Sequence, residues 1–368
     1  MADSRLDAIG AAGQSVWIDL LSRHFVHSGE LKRMVDEDAV TGLTSNPTIF
    51  QKAIAGGDDY DEQISQLLES TDDPRVIFFE LAIADVRDAC DVLRPVWDRT
   101  GGADGYASLE VDPGLAFDTK ATFEQAVDLH ARVDRPNLYV KIPATREGLP
   151  AIEDSIAAGI PINVTLIFSL ERYGEVVDAY QRGVARLVES GGDPSKVTSV
   201  ASFFVSRLDT EGDARLEALG ETGLEGKLGI ANAKLAYKHF TEAFAGAEWE
   251  RLAAAGAAVQ RPLWASTSTK NPAYRDVMYV EELIGPHTVN TMPLETLEAF
   301  RDHGEVRGST VTDNVEAAEK FLVDLAEAGV DYDDLVAKLE TEGVQKFGDS
   351  FDELISGIEA RRGQLAAR

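Results

Sequence analysis

Eight short strand-like runs, each followed by a helical stretch, recur along roughly the first 300 residues, and this rhythm restricts the fold more than any other feature of the chain. The runs are 16–19, 39–42, 106–111, 138–142, 162–167, 198–202, 261–265 and 287–291. No Rossmann glycine fingerprint follows the first of them. Eight β-then-α units without it predict an α/β fold of the closed parallel (β/α)8 TIM barrel type rather than an open doubly wound sheet. At about 150 residues per domain, 368 residues divide into two or three domains, but one barrel with additions is equally compatible. No linker or composition break divides the first 300 residues, so a single domain over 1–368 is expected. Its core barrel spans about 12–305 and its C-terminal helical cap about 310–368.

The helices are legible by period. Phe79, Ile83, Val86, Cys90, Leu93 and Trp97 form an apolar stripe on one long helix entered through Pro74. Insertions beyond a minimal barrel lie between residues 47 and 99 and from about 207 to 256. Past Thr310 the chain reads as helices only, with Val311, Val315, Phe321, Leu322 and Leu325 on one stripe. Leu335, Leu339, Phe347, Phe351, Leu354 and Ile358 lie on later ones.

Side chains alternate across a strand, so each barrel strand has one face inward and one toward the helices. In Leu138-Tyr139-Val140-Lys141-Ile142-Pro143 the aliphatic residues suit the helix side, which turns Tyr139 and Lys141 inward. Lys141 stands at the strand's carboxyl end, where the active sites of this architecture form. Burial there disfavours an ammonium ion and frees the amine as a nucleophile toward a carbonyl. By the same alternation Asn163 and Thr165 share a face opposite Ile162, Val164 and Leu166, and Ser108 and Glu110 share one opposite Leu109 and Val111. Asp19 ends the first run, and Asn46 follows the second.

Singly, each is a polar group at a strand end. Together they permit Schiff-base catalysis. Neutral Lys141 attacks a ketone, and Glu110, directly or through a water held by Thr165, donates the proton needed for dehydration. Asp19 takes a hydroxyl proton as a carbon–carbon bond breaks, while Asn46 and Asn163 hold the resulting enamine without adding charge.

At Lys141-Ile142-Pro143-Ala144-Thr145, Thr44-Ser45-Asn46-Pro47 and Asn163-Val164-Thr165-Leu166-Ile167-Phe168-Ser169, the chain resembles the transaldolase family, closest to the bacterial version with extra helices. The resemblance covers nearly the whole length. It implies transfer of a dihydroxyacetone unit from sedoheptulose 7-phosphate to glyceraldehyde 3-phosphate, giving erythrose 4-phosphate and fructose 6-phosphate in the pentose phosphate pathway, without a cofactor. It assigns Lys141 as the Schiff-base lysine, Asp19 as acid/base and Glu110 as the glutamate acting through water, and it also matches Asn46, Asn163 and Thr165. Ser202 and Arg207 match phosphate contacts, and Phe204 an aromatic beside the catalytic water. Related simple aldolases carry Tyr there, so Phe204 favours group transfer. One departure stands out. Where many members have Ala-Ser-Phe-Arg-Asn, this chain has Ala265-Ser266-Thr267-Ser268-Thr269-Lys270-Asn271, two residues longer and with Lys270 in place of the arginine fork. Ser266 and Ser268 hydroxyls are placed to supplement it.

Composition narrows the partners. With 64 acidic residues against 35 Lys plus Arg, the net charge of −29 leaves no basic face for nucleic acid or an anionic membrane, so a phosphate partner must be small and held locally. No apolar run approaches the roughly 20 residues of a membrane span, and Met1-Ala2-Asp3-Ser4-Arg5 lacks a secretory signature. The expectation is a cytoplasmic, metal-independent monomer or homodimer. His24 and His27 lack a third metal ligand, Gly226-Lys227 lacks the rest of a phosphate loop, and 101–105 reads as a turn. Cys90 and His130 read as packing residues, and the acidic runs near Asp58 and Asp333 as solvated helix faces. Two rival readings remain: a class I aldolase that releases the three-carbon unit to water, and a silent sugar-phosphate-binding barrel in which Lys141 is a structural ion-pair partner.

Overall fold

In the computed structural model, strands β1 (Gln14–Asp19), β2 (Val40–Thr44), β3 (Ala107–Glu110), β4 (Leu138–Pro143), β5 (Ile162–Ile167), β6 (Ser199–Phe204), β7 (Arg261–Ala265) and β8 (Thr288–Met292) close into one parallel barrel in chain order. β8 returns to pair with β1. The structure describes residues 4–366. Met1, Ala2 and Asp3 of the amino-terminal stretch and the last two positions of the expected cap lie outside them.

The predicted alternation holds on most strands. Val16, Ile18, Leu109, Val111, Leu138, Val140 and Ile142 join the apolar layer between barrel and helices. Trp17, Tyr139, Val200, Leu263 and Val289 fill the barrel interior with Tyr106. Tyr106 and Tyr139 stack at 4.1 Å between ring centroids, and Trp17 lies 6.1 Å from Tyr139. These rings occupy the lower barrel, so small polar residues are left for the mouth. Gly42 makes room for one of them: a Cβ there would sit 2.5 Å from the Trp17 ring. The polar tips in this layer are satisfied, with Trp17 Nε1 donating to Asp104 at 2.8 Å and the Tyr139 hydroxyl 2.7 Å from that of Thr198.

β5 departs from the expected pattern. Leu166 does not point to the helix layer with Ile162 and Val164. Its φ of 61° is left-handed, the register slips between Val164 and Ile167, and its side chain joins Phe168 and Phe204 in the apolar group at the mouth. The bulge re-aims the strand end, as bulges near functional sites do.

The insertions are the helices Pro47–Ala55, Asp61–Leu67 and Pro74–Arg99, and later Ser206–Leu219, Leu228–Ala243 and Ala247–Ala254. Cys90 is buried on the long helix, where desolvation pushes its thiol up to about 12, the state of a packing residue. His130 is half-buried, beside the packing face of its helix, which runs through Thr122, Ala126, Leu129 and Val133. Past residue 310 the later stripes belong to one helix, Tyr332–Ala366, of 35 residues. At 1.5 Å per residue it is about 52 Å long. It packs on the helices Pro47–Ala55 and Pro74–Arg99 and touches β5. Among the described residues no helix is long and apolar enough to cross a membrane, and no cluster of three metal-ligating side chains occurs.

Candidate active site at the barrel mouth

Parallel register sets three predicted residues side by side: Glu110 on β3 lies beside Lys141 on β4, which lies beside Asn163 on β5. Lys141 Nζ donates to Glu110 Oε2 at 3.0 Å and to the Ser45 carbonyl at 3.1 Å. Both members of the pair are buried. Burial pushes the Glu110 carboxyl above its ordinary value, and the adjacent Lys141 offsets part of that rise. The raised Glu110 carboxyl thus lies within hydrogen-bond reach of the Lys141 nitrogen, the distance at which a proton can pass from acid to a reacting group.

Asp19, at the end of β1, meets the cleft with a part-exposed edge. Burial also pushes its carboxyl up, against the opposing effects of a Thr44 hydrogen bond and the Lys141 charge. The Thr44 hydroxyl donates to Asp19 Oδ1 at 2.6 Å and lies 2.7 Å from the Thr291 hydroxyl, which is then the donor to Thr44. This relay is absent from the sequence reading. It follows from pairing of Asp19 with Thr44 across β1 and β2, a register no local pattern reveals.

Asn46 caps the helix Pro47–Ala55. Its Oδ1 accepts from the Ile49 amide at 3.0 Å, which commits the oxygen and leaves the side-chain nitrogen available at the cleft. Asn163 donates to Ser108 Oγ at 3.1 Å and accepts from Ser202 Oγ at 2.7 Å, so it braces the floor beneath the cleft. Ser202 and Thr165 line the cleft itself. Thr165 Oγ1 is buried without a protein partner among the described residues, which is the condition for holding a water or a substrate hydroxyl.

At the other end of the cleft Arg207 lies in the first turn of the helix Ser206–Leu219, 5.0 Å from the centroid of the Phe204 ring. Its Nη1 is buried and lacks a partner among the described residues, and burial lowers its pKa. Lys270 is also lowered, by burial first and then by repulsion from Arg207. Lys270 donates to Ser268 Oγ at 2.6 Å, and Ser266, at φ 57°, places its hydroxyl 2.8 Å from that of Ser206. Arg207, partly buried in the first turn of this helix, and the exposed Lys270 beside it form an anion-accepting arrangement. In a chain of net charge −29 they supply a local positive field.

All the expected residues thus gather at one mouth except that Glu110 and Asn163 lie just below the cleft wall. The cleft measures about 630 Å³, part of it the open solvent at its entrance. Phe347 of the carboxyl-terminal helix also lines it, a residue the sequence reading placed on a packing stripe.

A parallel eight-stranded barrel with a buried lysine bonded to one carboxylate, and a second carboxylate on the same cleft at its carboxyl-end mouth, defines an enzyme of the (β/α)8 class. The sequence model described as "Transaldolase/Fructose-6-phosphate aldolase" matches residues 16–358. The chain belongs to this family. A protein of Parafrankia sp. (strain EAN1pec) called "Transaldolase" is 52% identical over 365 residues, 98% of this chain and 99% of its own. One of Frankia alni (strain DSM 45986 / CECT 9034 / ACN14a), also called "Transaldolase", is 51% identical over 362 residues, 98% of each chain. "Transaldolase 2" of Streptomyces avermitilis is 51% identical over 364 residues, again 98% of each chain.

Proposed function

We propose that this enzyme is a transaldolase working through a Schiff base on Lys141, with sedoheptulose 7-phosphate and glyceraldehyde 3-phosphate as its substrates. The observation that carries the reading is the Lys141 Nζ hydrogen bond to Glu110, with Asp19 and the Arg207–Lys270 pair at the same cleft. The neutral amine adds to the ketone of the donor sugar, giving a carbinolamine. Glu110 donates a proton, through a water on Thr165, to the departing hydroxyl, and loss of water leaves an iminium. Asp19 removes the proton of the C4 hydroxyl, the C3–C4 bond breaks into the iminium, and erythrose 4-phosphate departs from a Lys141-bound enamine. The enamine carbon then attacks the aldehyde of glyceraldehyde 3-phosphate, and Asp19 returns its proton to the new alkoxide. Hydrolysis of the iminium releases fructose 6-phosphate. Arg207 and Lys270 hold the phosphate, with Ser266 and Ser202 as hydroxyl partners, and the Asn46 amide and Asn163 hold the three-carbon unit.

The reading includes one catalytic unit, with the barrel over about 12–305 and the helical cap over 310–368, and a cytoplasmic setting in the pentose phosphate pathway. Borohydride reduction in the presence of fructose 6-phosphate tests it. The expected result is a three-carbon or hexose phosphate adduct on Lys141 by mass spectrometry, lost in Lys141→Ala together with turnover. No adduct, or normal turnover in the variant, rejects the Schiff base. A coupled assay with erythrose 4-phosphate as acceptor separates transfer from simple aldol cleavage.

A further inference from the structure

The long carboxyl-terminal helix turns one face toward the reacting lysine. Gly343, Phe347 and Phe351, each four residues from the next, lie along that face. At Gly343 a Cβ would sit 3.2 Å from Leu166 and 3.2 Å from Phe168, so the helix backbone rides directly on the bulged end of β5. One turn on, Phe347 is 9% exposed, and its ring centroid is 5.3 Å from Lys141 Nζ. A further turn on, Phe351 meets Phe78 edge-on at 5.4 Å and, with Phe50, lines a small apolar cavity against Glu110. The helix therefore supplies an aromatic wall to both halves of the Lys141–Glu110 pair.

An aromatic face offers no hydrogen-bond partner to the intermediates on Lys141, but it occupies space that water would otherwise take. Its chemical consequence depends on the enamine. Protonation of the enamine carbon by water gives an iminium and hydroxide. Addition of that hydroxide to the iminium carbon, followed by cleavage of the carbon–nitrogen bond, returns the neutral amine and free dihydroxyacetone. The net reaction consumes one water, and it competes with attack on an acceptor aldehyde.

We propose that Phe347 is a positioning residue that keeps water from the enamine on Lys141 and thereby sets the partition of the three-carbon unit between transfer and hydrolysis. The inference rests on the Schiff-base reading of the site. Polar wall residues hold the sugar; this apolar one governs what else reaches it. The close approach at Gly343 and the Phe351 contacts fix the helix on either side of Phe347, so the ring is held in place rather than loosely draped.

The test uses the full chain with fructose 6-phosphate as donor, comparing wild type with Phe347→Ala, Phe347→Leu and Phe347→Tyr. Dihydroxyacetone release and transfer to erythrose 4-phosphate are measured on the same samples, with circular dichroism to verify folding. Phe347→Ala is expected to raise the ratio of release to transfer by about tenfold, and Phe347→Leu to restore a ratio near wild type. Phe347→Tyr, which introduces a hydroxyl to the wall, is expected to fall between them. A purely structural residue would lower both rates together and leave the ratio unchanged. An unchanged ratio in the folded variants, with the Lys141 adduct still trapped by borohydride, overturns the proposal alone. Absence of the adduct in wild type overturns the Schiff-base reading, and this inference with it. If Phe347→Ala does not fold, the Leu and Tyr variants decide: equal ratios reject the proposal, and a higher ratio for Tyr supports it.

Discussion

The Thr44 hydroxyl donates to Asp19 Oδ1 at 2.6 Å, and this bond opposes the effect of burial on the carboxyl. It stabilises the ionised form that a base requires. Replacing Thr44 by Val removes the donor while keeping the shape. The acid limb of the pH–kcat profile is expected to move to higher pH, with kcat at neutral pH reduced about tenfold, the equivalent of one charge-assisted hydrogen bond. Wild-type limb position in Thr44→Val would show that Thr44 does not tune Asp19.

Asp19→Asn separates chemistry from stability. Its base function is lost, so kcat is expected to fall roughly 10²–10⁴-fold, while iminium still forms and accumulates, visible as a larger borohydride-trapped fraction. The stability effect has the opposite sign. Burial raises the folded-state pKa, so stability associated with this group is present below the ordinary carboxylate range and lost as pH rises through the folded value. At neutral pH the asparagine variant is therefore expected to melt higher than wild type, with the difference vanishing in acid. A lower Tm at neutral pH would contradict this sign.

Arg207→Ala is expected to raise KM for phosphorylated ketoses about 10- to 100-fold, since a desolvated guanidinium gives up strong hydrogen bonds to the phosphate. Unphosphorylated ketose should bind as before. Lys270→Ala should cost less, because Lys270 is exposed while Arg207 is half-buried or deeper. Equal discrimination between phosphorylated and unphosphorylated sugars in Arg207→Ala would exclude the contact.

Gly42→Ala tests the barrel floor. The new methyl would meet the Trp17 ring, and overpacking of this kind costs about 1–3 kcal/mol or more. A chemical denaturation midpoint equal to wild type would show that the Trp17 layer yields without cost.

What the sequence made legible was the part governed by alternation. Lys141, Asp19 and Thr165 could be placed at the mouth, and Glu110 just below it, because each sits in step with aliphatic neighbours that demand the helix side. Leu166 broke the same rule, since a left-handed residue resets the parity and nothing in Val164-Thr165-Leu166-Ile167 announces it. Thr44 and Thr291 became partners of Asp19 through pairing between strands, which no period within one strand encodes. Phe347 read as packing because its helical spacing is the same whether the covered surface is another helix or a buried lysine. Its distinction is the identity of its neighbour, and that is a property of the closed fold.

The pairing of β1 with β8 also sets an order of events. Residues 14–18 wait for residues 288–292 before the barrel can shut, and Phe347 belongs to a helix made after both. Contacts so distant along the chain slow folding, because the entropy of long loops must be met before they form. During synthesis Lys141 is therefore made long before its last wall arrives. Phe347 is the last-made of the residues around Lys141, and a chain interrupted before the terminal helix carries Lys141, Glu110 and Asp19 without the aromatic ring beside the lysine.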